Sequence, residues 1–345
     1  MSELALYRKY RPQRFSDVRG QKAIISILER SIKDKSISHA YLFSGGRGTG
    51  KTTVARIFAT EVGCTPSDLY EIDAASNRKI EHVRDLRDAV QTMPFESPYK
   101  VYIIDEVHML TPEAFNALLK TLEEPPEHVI FILATTDREK LPETIISRCQ
   151  SFVFQQPMME ELKDFVVDVA KKEGQKIDGP SAQIIAMFGD GSYRDTLSVL
   201  EKVLIATKDT AVDADVVARV VGAPTADLVN RVLRAIDSGD VEIGLTAIRQ
   251  AEADHIDVKV YLKMILSRLR AVLMLRYAPT VEKEFAQEFT PDDLEFLRSL
   301  AVSTEKRINS HVLIEFLDAS KLIGFSTIRS LPIELTLIRI AGENK

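Results

Sequence analysis

The sequence contains no tryptophan, no low-complexity tract and only two cysteines, Cys64 and Cys149. Two thiols cannot build a disulfide framework, so a reducing compartment, the cytoplasm, is the expectation. No run approaches the roughly 18 apolar residues that a membrane-spanning helix needs. Residues 1–11 are polar and basic but lack the apolar stretch of a signal peptide. The sequence therefore predicts a protein that has no membrane segment.

A strongly basic balance is also missing, since the net charge is −6. Taken alone, this value argues against a general nucleic-acid binder. Residues 1–56 nevertheless carry 12 Lys and Arg against 4 Asp and Glu, which leaves open local phosphate contacts or a solvated basic surface. With 345 residues, 45% of them apolar, the chain predicts two or three globular domains.

Short β-branched and aromatic runs alternate with helical patterns through the first 157 residues. Strands are predicted at residues 40–44, 70–74, 101–105, 129–135 and 151–154. Helices are predicted at residues 51–62, 79–91, 112–122 and 142–147. Several strands are apolar on both faces, as buried parallel strands are. The pattern predicts a doubly wound α/β domain over residues 1–157.

Beyond residue 158 the strand signal disappears. Helices are predicted at residues 160–173, 181–188, 194–205 and 260–275, with another apolar helical face between residues 228 and 236. A plausible linker begins at Gly222. The sequence thus predicts a small helical domain at 158–222 and a helical C-terminal domain at 223–345.

One motif carries clear chemistry. It fits the phosphate-binding pattern G-x-x-x-x-G-K-[ST] in full, between a predicted strand and a predicted helix, and consists of Gly45, Gly46, Arg47, Gly48, Thr49, Gly50, Lys51 and Thr52. The glycines let backbone N–H groups face a phosphate chain. Lys51 is expected to reach the β- and γ-phosphates, and the Thr52 hydroxyl to bind Mg²⁺.

Two carboxylates end the predicted strand at 101–105. Asp105 suits a Mg²⁺ shell, and Glu106 is placed to polarise an attacking water. Such a pair is common on its own. Combined with the P-loop it becomes a strong indication, because parallel strands present their carboxyl ends at one sheet edge.

Three further residues permit two interpretations each. Thr136 ends another predicted strand, where it either holds water or γ-phosphate or simply caps a turn. Arg148 and Arg194 are either surface charges or the arginines that phosphoryl transfer commonly needs. A basic cluster is either a solvated face of salt bridges or a DNA contact; it comprises Arg78, Lys79, Arg84 and Arg87. The six histidines show no metal-ligand spacing.

Several segments together resemble one family, the clamp-loader AAA+ ATPases. Residues 11–21 are similar to the entry segment of those ATPases. Residues 115–129, FNALLKTLEEPPEHV, and residues 134–137, ATTD, closely resemble the bacterial gamma/tau subunits of DNA polymerase III. Residues 70–77 and 147–149 complete a resemblance that is dense up to residue 200 and thin beyond.

The resemblance implies a fold and a set of roles. The fold would be a P-loop NTPase domain with a five-stranded parallel sheet between helices, then a helical lid and a helical collar. ATP and Mg²⁺ would be the cofactors, with Thr136 as sensor 1, Arg194 as sensor 2 from the lid, and Arg148 as an arginine finger acting on a neighbouring subunit. The nucleotide would also meet Thr53, and adenine would lie against Tyr7, Arg11, Pro12 and Val18.

The implied partners are other clamp-loader subunits in a five-membered ring, the sliding clamp and primer–template DNA. A polymerase and a helicase would join only through a longer tail. The family usually carries a zinc module with four cysteines, but here only Cys64 occupies that region, so no zinc is expected. Cys64 should instead be a small buried apolar residue.

Two alternative functions remain open from the sequence. The chain could be another AAA+ motor, such as a replication factor C small subunit or a branch-migration motor. It could also be a non-hydrolysing scaffold subunit of the same ring. The intact P-loop argues against a scaffold, and residues 122–129 and 134–137 favour gamma/tau over other motors.

Overall fold

The computed structural model describes residues 4–76, 89–207, 211–282 and 286–342. They form two compact units. The first comprises residues 1–161 together with 191–195, and the second comprises residues 162–190 together with 196–345. The predicted helix at 79–91 lies mostly outside the described residues. The boundaries of the three predicted domains stay predictions.

The first unit is built on a parallel sheet of five strands. The strands are β1 (Ala40–Gly45), β2 (Leu69–Asp73), β3 (Lys100–Asp105), β4 (Val129–Thr135) and β5 (Gln150–Phe154). Their order is β2-β3-β4-β1-β5, and every pairing is parallel. All five predicted strands are confirmed to within one residue at each end.

Apolar side chains fill both faces of this sheet, which is why its central strands lack polar alternation. Tyr41 and Phe43 point to one face, where Tyr41 packs edge-on against Phe58 with ring centroids 4.9 Å apart. Leu42 and Leu133 point to the other face. Burial on both sides requires helices in front and behind, so the predicted doubly wound domain is confirmed.

The helices of the first unit are α1 (Leu6–Lys9), α2 (Lys22–Lys33), α3 (Lys51–Glu61), α4 (Pro112–Glu123) and α5 (Glu143–Ile146). Helix α4 illustrates how the sequence sets the boundaries. The Thr111 hydroxyl accepts a hydrogen bond from the N–H of Ala114, and Pro112 occupies the first helical position. The helix ends shortly before Pro125, as predicted.

The second unit is mainly helical. Its helices, of which the first and third begin among residues of the first unit, are α6 (Met159–Lys172), α7 (Gly179–Phe188), α8 (Tyr193–Ala206), α9 (Ala214–Val221), α10 (Ala226–Ser238), α11 (Val241–Ala253), α12 (Val258–Tyr277), α13 (Pro291–Ala301), α14 (Ser310–Leu322) and α15 (Leu331–Leu337). Among the described residues, no helix is both long enough and apolar enough to cross a membrane.

The expectation that strands are absent after residue 158 was wrong in one detail. Residues Lys176–Ile177 and Ala211–Val212 pair as two short parallel strands. A two-residue strand is too short to show an alternating pattern, so nothing in the local sequence reports it.

A buried ion pair links three helices of the second unit. Arg268 of α12 donates two hydrogen bonds to the carboxylate of Asp293 on α13, at 2.7 and 2.9 Å. Asn230 of α10 donates to the same carboxylate at 3.0 Å. Burial alone would raise the pKa of Asp293, but its bonds to Arg268 and Asn230 lower it. Both carboxylate oxygens of Asp293 therefore accept hydrogen bonds from Arg268 at a buried position, where an unpaired charge would be costly.

Candidate functional site: a nucleotide-binding sheet edge

The P-loop joins β1 to α3, and two of its glycines are required by their surroundings. Gly45 has φ 145°, and a Cβ there would lie 2.4 Å from the carbonyl oxygen of Phe154. Gly48 has φ 67°, and a Cβ there would lie 1.8 Å from Oγ of Ser192. The loop backbone thus packs too closely for any side chain at either position. The turn into α3 is completed by Gly46, Arg47, Thr49 and Gly50.

Lys51 begins α3 and turns its ammonium group back onto the loop. Its Nζ donates to the carbonyl oxygens of Gly45 and Gly46 at 2.9 and 2.8 Å. Only 6% of the residue is exposed. Burial lowers the pKa of Lys51, while the negative charges of Glu106 and Asp105 act in the opposite direction. A buried cation at the mouth of the loop is suited to a phosphate chain.

Thr52 and Asp105 meet at the sheet edge. The Thr52 hydroxyl donates to Oδ2 of Asp105 at 2.8 Å, and Oδ1 accepts the N–H of Glu106 at 3.0 Å. A hydroxyl and a carboxylate are the hard oxygen ligands that Mg²⁺ prefers. The residues present therefore fit the magnesium site that the sequence predicts.

Glu106 and Thr136 are joined across neighbouring strand ends. Glu106 has φ 48° and ψ 45°, a left-handed conformation that is uncommon for a residue with a side chain. Its Oε2 accepts both the N–H and the hydroxyl of Thr136, at 3.1 and 2.8 Å. The structure thus turns the Thr136 hydroxyl towards Glu106, an arrangement that neither interpretation of the sequence included.

His108 and Thr135 were missed as site residues. His108 Nδ1 lies 2.9 Å from the Thr135 hydroxyl and 3.4 Å from Oε2 of Glu106. From the sequence, the histidines were considered only as metal ligands. A histidine two residues after the Asp-Glu pair was the available signal, but the Thr135 contact depends on the register of β3 against β4.

The residues expected around adenine come from the N-terminal segment. Arg11 donates from Nε to the Thr53 hydroxyl at 3.1 Å, and burial lowers the pKa of Arg11. The guanidinium of Arg194 lies over the ring of Tyr7, 5.1 Å from its centroid. Pro12 and Val18 are both half-buried. The structure thus brings Tyr7 to Arg194, and Arg11 to α3.

The segment 191–195, which contains Arg194, packs directly on the P-loop. The N–H of Tyr193 donates to the carbonyl oxygen of Gly48 at 3.2 Å, and Arg47 lies 3.6 Å from the carboxylate of Asp195. Sequence reasoning missed Ser192, Tyr193 and Asp195, because each meets the loop only through tertiary packing.

Arg148 lies apart from these contacts, immediately after α5. Its guanidinium donates to the carbonyl oxygen of Thr144 at 2.8 Å and to Oε1 of Glu123 at 2.6 Å. About a third of the side chain, 34%, is exposed. The group is therefore oriented by its own chain and still accessible.

Three remaining predictions have different outcomes. Cys64 is buried in the apolar core of the first unit, as predicted, and burial raises the pKa of its thiol. Within the described ranges, no three His, Cys, Asp or Glu side chains are grouped as metal ligands; the absence of zinc stays a prediction. The basic cluster at Arg78, Lys79, Arg84 and Arg87 lies outside the described residues.

Comparison with known proteins places this site in a family. Residues 20–77 and 67–158 match the family model described as DNA polymerase III, delta subunit. The DNA polymerase III subunit tau of Bacillus subtilis is 40% identical over 303 residues, which cover 82% of this chain and 54% of the relative. The subunit tau of Escherichia coli is 37% identical, with 86% and 51% covered. The chain spans about half the length of these first relatives.

A shorter relative matches from end to end. The DNA polymerase III subunit gamma of Buchnera aphidicola subsp. Baizongia pistaciae is 31% identical over 367 residues, covering 98% of this chain and 97% of the relative. Among solved structures, the Thermotoga maritima RuvB Holliday junction branch migration motor superposes with a TM-score of 0.53 at 21% identity, covering 66% and 79% of the two chains. This likeness supports the AAA+ fold alone. The chain belongs to the family of bacterial DNA polymerase III gamma/tau subunits.

Proposed function

We propose that the chain is an ATP-hydrolysing motor subunit of a DNA polymerase III clamp loader, which places a sliding clamp on primer–template DNA. The observation that carries the proposal is the contact of Thr52 with Asp105 at 2.8 Å. It joins a complete P-loop to the Asp-Glu pair at one edge of the sheet. A scaffold subunit has no need to maintain either part.

The roles of the chain's own groups follow from this placement. Lys51 would hold the β- and γ-phosphates through its buried ammonium group, and Thr52 and Asp105 would hold Mg²⁺. When bound, Mg²⁺ neutralises charge on the phosphate oxygens. Glu106 would orient and polarise the attacking water through the carboxylate oxygen that Thr136 leaves free.

Two arginines would complete the reaction centre. Arg194 is supported as a residue acting on its own subunit, because its segment packs against Gly48 of the P-loop. Arg148 would act on the nucleotide of a neighbouring subunit, since its contacts lie with Glu123 and Thr144 and not with the P-loop. Hydrolysis would then depend on assembly of the ring.

Assembly and DNA contact belong to the same proposal. Residues 158–222 would be the lid, and residues 223–345 the collar that joins five subunits. The cluster at Arg78, Lys79, Arg84 and Arg87 would meet DNA phosphates. The names of the relatives concern DNA polymerase III subunits, and this context favours a clamp loader over other AAA+ motors.

The decisive experiment is ATP turnover by the assembled complex, measured alone, with clamp, with primed DNA and with both. A clamp-loader motor should be stimulated most by clamp and primed DNA together. Glu106→Gln should lower that turnover by at least about a hundredfold while ATP still binds. Stimulation by DNA junctions without clamp would instead favour a branch-migration motor, and absence of turnover under every condition would favour a scaffold subunit.

A further inference from the structure

His108 lies beside Glu106, with most of its side chain enclosed. It lies in the short turn Val107–Met109 after β3, and only 9% of its side chain is exposed. Its Nδ1 faces the Thr135 hydroxyl at 2.9 Å and Oε2 of Glu106 at 3.4 Å. The roles proposed so far for the site make no use of this ring.

The hydrogen bonds of Thr135 determine which ring nitrogen carries a proton. Its hydroxyl donates its single proton to the carbonyl oxygen of Asp137 at 3.1 Å and accepts the N–H of Asp137 at 3.0 Å. One lone pair remains, so with this bonding pattern the contact at 2.9 Å is a hydrogen bond donated by His108 Nδ1. An unprotonated Nδ1 would also turn its lone pair towards the carboxylate of Glu106.

The Nδ1 proton of His108 faces the same oxygen of Glu106 that accepts the hydrogen bonds of Thr136. Oε2 accepts two hydrogen bonds from Thr136 and faces Nδ1–H of His108 as a third positive dipole. The two donors of Thr136 and the dipole of the ring all face one oxygen, so the carboxylate plane is fixed and Oε1 is the oxygen left for water. A fixed acceptor needs less reorganisation when the reaction occurs.

We infer that His108 is a positioning residue for Glu106, acting through an Nδ1–H that Thr135 orients. The inference rests on the proposed function, because it assigns a partner to the group that would polarise water. It also extends the site to a residue pair, His108 and Thr135, that contact each other at 2.9 Å.

The first test needs neither nucleotide nor turnover. Long-range ¹H–¹⁵N spectra of the ¹⁵N-labelled full chain, assigned with a His108→Asn variant, report which nitrogen of His108 is protonated. The expected result is a proton on Nδ1 in the wild type and loss of that preference in Thr135→Val, which removes the acceptor. A wild-type ring protonated on Nε2 alone would overturn the inference.

The second test compares two replacements in the assembled complex. His108→Leu fills similar volume without a donor and should lower kcat about tenfold, with KM for ATP nearly unchanged. His108→Asn returns an N–H near the position of Nδ1 and should recover most of the loss. The matched control is His39→Leu, because His39 is exposed and immediately precedes β1; its kcat should not change.

These measurements distinguish a failure of the inference about His108 from a failure of the proposed function on which it rests. Glu106→Gln at full turnover would overturn the proposed role of Glu106 itself. A slow Glu106→Gln combined with wild-type kcat in His108→Leu would overturn the inference alone. Adding His108→Leu to Glu106→Gln should cause no further loss if His108 acts only through Glu106, and a further tenfold loss would contradict that route.

Discussion

Arg148 and Glu123 form an ion pair in which Nη2 donates to Oε1 at 2.6 Å, while Nη1 donates to the carbonyl oxygen of Thr144 at 2.8 Å. These bonds use two of the five N–H donors of the guanidinium. Its direction is therefore set without exhausting its capacity to meet a phosphate. This geometry suits an arginine that completes another subunit's site.

We predict that Arg148→Ala binds ATP and assembles but hydrolyses poorly. Arginine fingers are worth roughly 10³–10⁵ in rate in related NTPases. Mixing Arg148→Ala with Lys51→Ala subunits should restore part of the turnover, because one variant keeps the nucleotide site and the other keeps the arginine. Steady-state ATPase of the mixed and separate complexes is the measurement.

Glu124→Ala is the matched control for this experiment, since Glu124 is exposed and neighbours Glu123; its turnover should equal that of the wild type. Two results would contradict action on a neighbour. One is wild-type hydrolysis by Arg148→Ala alone. The other is a mixture that assembles but recovers nothing.

Lys51→Ala should abolish ATP binding, because it removes the buried cation at the P-loop. Calorimetric titration with ATP is the direct measurement. Lys100→Ala is a suitable control: Lys100 is also a buried lysine, 4% exposed, but its Nζ donates to Ala89 and Thr92 away from the loop. That control should lose stability and keep its affinity. Equal affinity in the two variants would count against the P-loop assignment.

The hydrogen-bonded carboxylate of Asp68 leads us to predict that the protein loses stability in acid. Burial would raise the pKa of Asp68, but hydrogen bonds from the backbone of Phe95, Glu96 and Ser97, together with the Ser97 hydroxyl, hold it at about 2. In the unfolded chain the pKa of an aspartate is about 3.9. Because the folded pKa is the lower one, the ionised carboxylate stabilises the protein fully above about pH 4, and this stability is lost as pH falls towards 2.

Asp68→Asn should therefore unfold more easily at pH 7 and lose less stability than the wild type between pH 4 and 2. Urea unfolding at several pH values measures both effects. Asp34→Asn is the control, since Asp34 forms only an exposed pair with Arg30, which contributes little. If Asp68→Asn and the wild type lose the same stability over this pH range, the hydrogen-bonded carboxylate is not the cause.

The sequence was sufficient for the parts of the site that depend on local pattern. Lys51 and Thr52 belong to a contiguous motif, and Asp105 follows an apolar strand. The rule that parallel strands end at one edge then predicts that they meet, and Thr52 and Asp105 do meet at 2.8 Å. Strand prediction rested on local pattern too, since β1, β3 and β4 are continuous apolar runs between turn residues.

Contacts set by register and tertiary packing were not predictable in this way. His108 meets Thr135 because β3 and β4 are paired in one particular register, and a single sequence carries no periodic signal for that pairing. Ser192 meets Gly48 although the two are far apart in the chain. Glycine in the P-loop was expected for phosphate approach, but its packing against residues 191–195 was not.

The packing of Gly48 against residues 191–195 leads to a further prediction. It separates the steric clash of a new side chain from the strain of a left-handed backbone. Gly48 and Gly174 have similar left-handed φ values, 67° and 77°, so alanine should cost each about 1 kcal/mol of stability from conformation alone. At Gly174 the new Cβ has nothing within 4 Å, whereas at Gly48 it lies 1.8 Å from Oγ and 2.7 Å from Cβ of Ser192. Gly48→Ala must therefore displace the loop or the segment 191–195.

Calorimetry should show at least a tenfold loss of ATP affinity in Gly48→Ala and none in Gly174→Ala, and Ser192→Gly added to Gly48→Ala should recover part of it. Wild-type affinity in Gly48→Ala would show that the contact with Ser192 does not constrain the nucleotide loop.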